Sequence, residues 1–182
     1  MENIEIEYKV MISKQDFNRL IKAYPNAELM EQINHYFETP NNDCKKNDIA
    51  LRIRTVNNKN IITLKERLIE GKLEHEFYCD GTSKEYLNDE IKALLDKHHV
   101  DYDELIEIGI LTTYRHEFKI DDNVICFDES HYNGVIDYEV ECESDSMKHA
   151  QKMIKSILKP LGIKYKKSKH SKLGRFKRSM AH

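Results

Sequence analysis

Charged and apolar residues alternate strictly through Ile4-Glu5-Ile6-Glu7-Tyr8-Lys9-Val10. Successive side chains of a β-strand point to opposite faces. Glu5, Glu7 and Lys9 therefore share one face, and Ile4, Ile6, Tyr8 and Val10 share the other. A run of period two that long predicts a strand with one ionic side and one apolar side. Similar runs recur at about 33–38, 50–56, 60–67, 73–79, 112–119, 123–129 and 134–142, so with 4–11 the chain carries eight expected strands. Asn57-Asn58-Lys59-Asn60 and Ile120-Asp121-Asp122-Asn123 supply residues that tolerate left-handed turn geometry, which predicts hairpins and antiparallel pairing.

Helical spacing appears in three places. Tyr86, Leu87, Ile91, Leu94 and Leu95 mark a helix over 83–97 with Ser83 as its N-cap. Met147, Ala150, Ile154, Ile157 and Leu158 mark a second over 146–158, ended by Pro160 and Gly162. A third follows Ser13, with Phe17, Leu20 and Ile21 as its stripe. The expected class is α+β, a large antiparallel sheet carrying amphipathic helices. At 182 residues, with no linker and no internal repeat, 1–182 reads as a single domain.

The polar faces of these strands are ionic rather than merely hydrophilic. Arg52 and Arg54 oppose Leu51 and Ile53. Thr63, Lys65 and Arg67 oppose Ile62 and Leu64, and Glu74 and Glu76 oppose His75 and Phe77. Thr113, Arg115, Glu117 and Lys119 oppose Tyr114, His116 and Phe118. Glu139 and Glu141 oppose Tyr138, Val140 and Cys142, and Asp128 adds a carboxylate. A sheet with one wet face shows such alternation too. Closure of about eight twisted strands, with helices on the outer apolar surface, would instead put the charges inside a barrel. Such an interior must be a wet, ligand-filled channel, because unpaired charge in a low-dielectric interior is very costly. Its bases, Arg52, Arg54, Lys65, Arg67 and Arg115, suit an extended polyanion such as a triphosphate. Its acids, Glu5, Glu7, Asp128, Glu139 and Glu141, suit Mg²⁺ or Mn²⁺, hard ions that take carboxylate and phosphate oxygens together.

The net charge is −3, yet residues 164–178 hold eight Lys or Arg and no acid. With Tyr165 and Phe176 as its aromatics, this tail lacks the stacking residues of a nucleic-acid binder. A solvated tail and one that folds over a channel mouth are both open. In the second, Lys169, Lys172 and Arg175 complete the phosphate site. Cys44, Cys79, Cys126 and Cys142 have no CxxC spacing, and no apolar leader precedes the first strand. A cytoplasmic protein with reduced thiols is expected. No apolar run approaches the roughly 20 residues of a membrane span, and the nine histidines show no zinc-ligand spacing.

Glu5-Ile6-Glu7-Tyr8-Lys9 resembles the ExExK signature of the CYTH superfamily, the triphosphate tunnel metalloenzymes. The resemblance extends in order through His35-Tyr36-Phe37-Glu38-Thr39-Pro40, Leu51-Arg52-Ile53-Arg54, Thr63-Leu64-Lys65, Arg115, Asp128 and Glu139-Val140-Glu141. It reaches Lys172-Leu173-Gly174-Arg175-Phe176, similar to the closing motif of firmicute-type members. It implies an eight-stranded antiparallel closed β-barrel, a tunnel with helices outside. It also implies that Glu5, Glu7, Glu139 and Glu141 bind metal, with Asp128 joining them or orienting a water, and that Lys9, Arg52, Arg54, Lys65 and Arg115 bind phosphate. Members similar to thiamine triphosphatase use a Lys–Tyr pair, here Lys65 and Tyr36, although Tyr36 also reads as an ordinary strand aromatic against the outer helices. Glu38 departs from the family's usual aspartate, and its role is open.

The resemblance implies a metal-dependent triphosphatase, first of inorganic tripolyphosphate and otherwise of ATP or thiamine triphosphate, as a monomer or homodimer. Adenylyl cyclase activity and a non-catalytic polyphosphate or nucleotide sensor are the competing expectations. No base-recognition cluster distinguishes a cyclase.

Overall fold

The computed structural model describes residues 2–180. The chain packs as two compact units. One comprises the residues up to Glu5 and Gln32–Leu111, the other Ile6–Glu31 and Thr112 onward. Among the described residues there are ten strands: β1 (Glu2–Glu5), β2 (Glu7–Met11), β3 (Glu28–Glu38), β4 (Ile49–Val56), β5 (Lys59–Arg67), β6 (Lys72–Cys79), β7 (Ile106–Ile120), β8 (Asn123–Tyr132), β9 (Val135–Glu143) and β10 (Lys166–Lys167). The helices are α1 (Lys14–Ala23), α2 (Asp43–Lys46), α3 (Asp89–Lys97), α4 (Met147–Leu158) and α5 (Lys172–Ser179). The class is α+β with antiparallel strands, as the alternation requires. The count exceeds eight because the opening strand is interrupted at Ile6 and because two residues of the basic tail pair with β2.

In the first unit the strand order is β1-β6-β5-β4-β3, with antiparallel pairing throughout. The β4–β5 turn is Asn57-Asn58 with φ of 50° and 59°, the two left-handed residues that a tight hairpin demands. Leu51, Ile53, Ile62 and Leu64 are fully buried on the apolar face, against Ile91 and Leu95 of α3. The helix expected over 83–97 is shorter. Lys84–Tyr86 forms a single 3-10 turn, the chain extends again at Leu87, and α3 starts after Asn88, whose side chain accepts from the Ile91 N–H at 3.0 Å.

In the second unit the order is β7-β8-β9-β2-β10. Tyr8, Val10, Ile125, Phe127 and Val140 bury their side chains against Phe17 and Leu20 of α1 and Ile154 and Leu158 of α4. Each such apolar side chain contributes about 1.5–3 kcal/mol. Ser13 and Ser146 cap α1 and α4, and Gly162 at φ +61° turns the chain after the second of these helices. The apolar side of the opening run thus meets helices at Tyr8 and Val10, whereas Ile4 is 58% exposed. Helices thus cover much of the apolar face of each unit.

Candidate active site: two charged clusters

In the first unit, register brings cross-strand partners together on the ionic face: Tyr36 opposite Arg52, Arg52 opposite Thr63, Lys65 opposite Glu74, and Glu5 opposite Lys72. The Lys65 ammonium donates to Glu5 Oε2 at 2.9 Å and pairs with Glu74, while Lys72 reaches Glu5 at 3.4 Å. Burial opposes the Glu5 charge, but the Lys65 and Lys72 ammoniums outweigh it and hold Glu5 below the usual carboxylate range. Glu74 goes the other way, pushed up by burial and by the Glu5 charge against the pull of Lys65. Despite burial, Tyr36, Glu74 and Glu5 favour the Arg52 guanidinium. Arg52 Nε is buried without a hydrogen-bond partner among the described residues, the kind of donor an anion satisfies. Arg54 Nε donates to Asn34 Oδ1 at 2.9 Å, and Thr63 donates to Glu76 at 3.3 Å.

The second cluster is denser. Asp128, Glu139 and Glu141 are cross-strand neighbours on β8 and β9, and a carboxylate oxygen from each lies within 4.8 Å of the other two. Arg115 grips Asp128 with both arms of its guanidinium, Nε to Oδ1 at 2.9 Å and Nη2 to Oδ2 at 2.7 Å, and Nη2 also reaches Glu141 at 2.6 Å. Lys9 donates to Glu141 at 2.8 Å and pairs with Glu7 at 2.9 Å. Lys172 touches all three carboxylates: Asp128 at 2.6 Å, Glu141 at 2.7 Å, and Glu139. Arg175 joins Asp137 at 2.6 Å to Glu139 at 2.8 Å. Burial raises Glu139, and the neighbouring Glu141 charge adds to that rise against Lys172. Burial also opposes the charge on Glu141, yet Lys172, Lys9 and Arg115 hold it well below the ordinary value. Asp128 is lowered likewise, by Arg115 and Lys172.

The sequence matches the CYTH domain family model over residues 3–176. This protein belongs to the CYTH domain family. It is 32% identical over 175 residues to the Bacillus subtilis (strain 168) protein named "Putative triphosphatase YjbK", covering 93% of this chain and 92% of that one. Its fold is similar to the crystal structure of a "putative adenylate cyclase" from Bacillus halodurans, with TM-score 0.86, 33% identity and coverage of 96% and 98%. The Hippeastrum protein HpAC1, a "putative adenylyl cyclase" with a dominant triphosphatase activity, matches at TM-score 0.78 and 25% identity over 96% of each chain.

A divalent metal such as Mg²⁺ or Mn²⁺ takes hard oxygen donors, and Asp128, Glu139 and Glu141 fit that requirement. They offer hard oxygen donors at close range and already enclose a cation, the Lys172 ammonium. The ExExK motif of this CYTH domain is divided by the break at Ile6. Glu5 lies in the first unit with Lys65, Lys72 and Glu74, whereas Glu7 and Lys9 lie in the second with Glu141. Tyr36 lies opposite Arg52 on the ionic face and is 4% exposed. Arg67 stands apart at an exposed strand end beside Asp48, 3.4 Å away, and Lys169 is exposed.

Glu38 turns out to be a backbone acceptor. It takes the N–H groups of Thr39 at 3.0 Å, Cys44 at 2.8 Å and Lys45 at 3.2 Å, which binds β3 to the start of α2. Sequence reasoning passed over Asp137 and Lys72. Both share parity with acids it selected, Glu139 and Glu74, and that parity was the available signal. The four cysteines are free thiols. Among the described residues no helix is long and apolar enough to cross a membrane.

Proposed function

We propose that this CYTH domain is a divalent-metal-dependent triphosphatase of the cytoplasm whose substrate is inorganic tripolyphosphate and whose metal is Mg²⁺ or Mn²⁺, with 1–182 acting as one functional domain. The observation that carries the reading is the acid triad: Asp128, Glu139 and Glu141 are close enough to share one ion. The names of YjbK and HpAC1 support hydrolysis over cyclisation.

In this reading Asp128, Glu139 and Glu141 hold the metal, with Glu7 beside them through Lys9. A bound divalent ion would neutralise charge on the phosphate oxygens. Arg52, Arg54 and Lys65 bind phosphate oxygens, and the unpartnered Arg52 Nε is a donor available to them. Glu5 and Glu74 keep Lys65 oriented, and Glu76 does the same for Thr63. Lys65 and Tyr36 position the water that attacks the terminal phosphorus. One P–O bond forms, the bridging P–O bond breaks, a proton of the water passes to the departing bridging oxygen, and phosphate and diphosphate leave.

The test is purified protein with tripolyphosphate, ATP and thiamine triphosphate, each with Mg²⁺, Mn²⁺ or EDTA, following phosphate and cyclic AMP. Metal-dependent phosphate release, fastest from tripolyphosphate, is expected. Cyclic AMP formation without phosphate release would establish the cyclase instead, and tight polyphosphate binding without turnover would establish a sensor.

A further inference from the structure

Helix α5 carries Lys172 and Arg175 three residues apart on one face, and both cations are engaged inside the acid-rich cluster. The Lys172 ammonium has three N–H donors, and its three carboxylate partners, Asp128, Glu139 and Glu141, are the three whose oxygens lie within 4.8 Å of one another. A divalent ion needs bare lone pairs on those same three carboxylates. The two cations cannot be served at once. We propose that Lys172 is the resident counter-ion of the acid triad and competes with the divalent metal for it, so that metal uptake expels the ammonium and frees it to take phosphate oxygens. This inference rests on the reading of the triad as the metal-holding end of a triphosphatase.

Charge balance supports the exchange. Within this cluster five carboxylates, Glu7, Asp128, Asp137, Glu139 and Glu141, face four side-chain cations, Lys9, Arg115, Lys172 and Arg175. Ionised throughout, the set carries one excess negative charge. With Lys172 out and a dication in, the same side chains are balanced. The rest of α5 has its own attachments. Arg175 is held by Asp137 and by the His170 carbonyl at 3.0 Å, Phe176 is fully buried with its ring edge-on to Tyr132, and Ser179 accepts from Asn133 at 2.9 Å. Lys172 can therefore leave the acids while the helix stays docked, which makes the exchange a movement of one long side chain.

Binding of Mn²⁺ alone, measured by calorimetry on wild type, Lys172→Met and Lys152→Met, tests this without any substrate. Lys152 is an exposed lysine of α4, so its loss controls for net charge. Removing a competitor that occupies the binding-competent state raises apparent affinity by the fraction it blocked, so Lys172→Met is expected to bind Mn²⁺ about tenfold or more tightly, with Lys152→Met unchanged. Equal or weaker binding by Lys172→Met overturns the inference, whatever the turnover assay shows. Absence of Mn²⁺ binding in every protein overturns the metal-dependent reading along with it. A second measurement uses unaltered protein: acylation of Lys172 by acetic anhydride, read by peptide mass spectrometry, should speed up at least several-fold when Mn²⁺ is saturating. Unchanged acylation under saturating Mn²⁺ overturns the proposal even if Lys172→Met fails to fold.

Discussion

Lys65 bridges Glu5 and Glu74 from near the end of β5, and Arg52 lies across from Thr63, two positions along the same face. An ammonium fixed in that way is pre-oriented for an anion whose charge grows during phosphoryl transfer. Lys65→Ala should lower kcat for tripolyphosphate by about 10²–10³-fold, and a variant that keeps more than a tenth of wild-type phosphate release would remove Lys65 from the chemistry. Glu38 makes the opposite case. It shares parity with Tyr36, as a site residue would, but its carboxylate accepts from three backbone N–H groups. Glu38→Ala leaves those buried donors without acceptors and should cost about 1–3 kcal/mol, read as a lower melting temperature with turnover per folded molecule unchanged. Loss of turnover with an unchanged melting temperature would move Glu38 into the site.

At the level of elements, a period of two is a local property, so each strand of the ionic faces was legible from its own residues. Which charges meet across strands was not, because register depends on partners distant in sequence: Lys65 pairs with Glu5, 60 positions earlier, and Lys172 with Asp128, 44 positions earlier. The interruption at Ile6 was equally hidden, since Glu5 and Glu7 keep one alternation while β1 pairs with β6 and β2 with β9. The start of α3 was misplaced for a related reason. Ser83 and Asn88 are both good caps, and Leu87 satisfies the apolar stripe from an extended backbone that buries it. Only Asn88 closes on a helical N–H. Asn88→Ala should therefore cost about 1 kcal/mol, a fall of about 2–4 °C in melting temperature for a chain of this size. Ser83→Ala should shift it by less than half as much, and the reverse ranking in thermal melts would return the helix start to Ser83.

Across the whole molecule the ionic faces make stability a function of pH with two opposed parts. Glu5, Asp128 and Glu141 have folded values below their ordinary ones, because Lys65 acts on the first, Arg115 and Lys172 on the second, and Lys172, Lys9 and Arg115 on the third, in each case against burial. For these groups the unfolded chain binds more protons, so their contribution is complete above the ordinary carboxylate range and is lost as pH falls through the folded values. Glu74 and Glu139 are raised, chiefly by burial, so for them the folded chain binds more protons. Their contribution is complete below the ordinary value and is lost as pH rises through the folded one. Acidifying from neutrality should thus first raise the melting temperature slightly, while Glu74 and Glu139 take up protons, and then lower it steeply below about pH 4, where the unfolded carboxylates titrate. Thermal melts in EDTA from pH 3 to 8 give the curve, and Glu139→Gln, neutral throughout, should shrink the initial rise and leave the acid limb in place. A curve that falls steadily from pH 7, with no difference in Glu139→Gln, would mean that Glu139 ionises freely and that the acid triad carries its full negative charge under the cations of β2, β7 and α5.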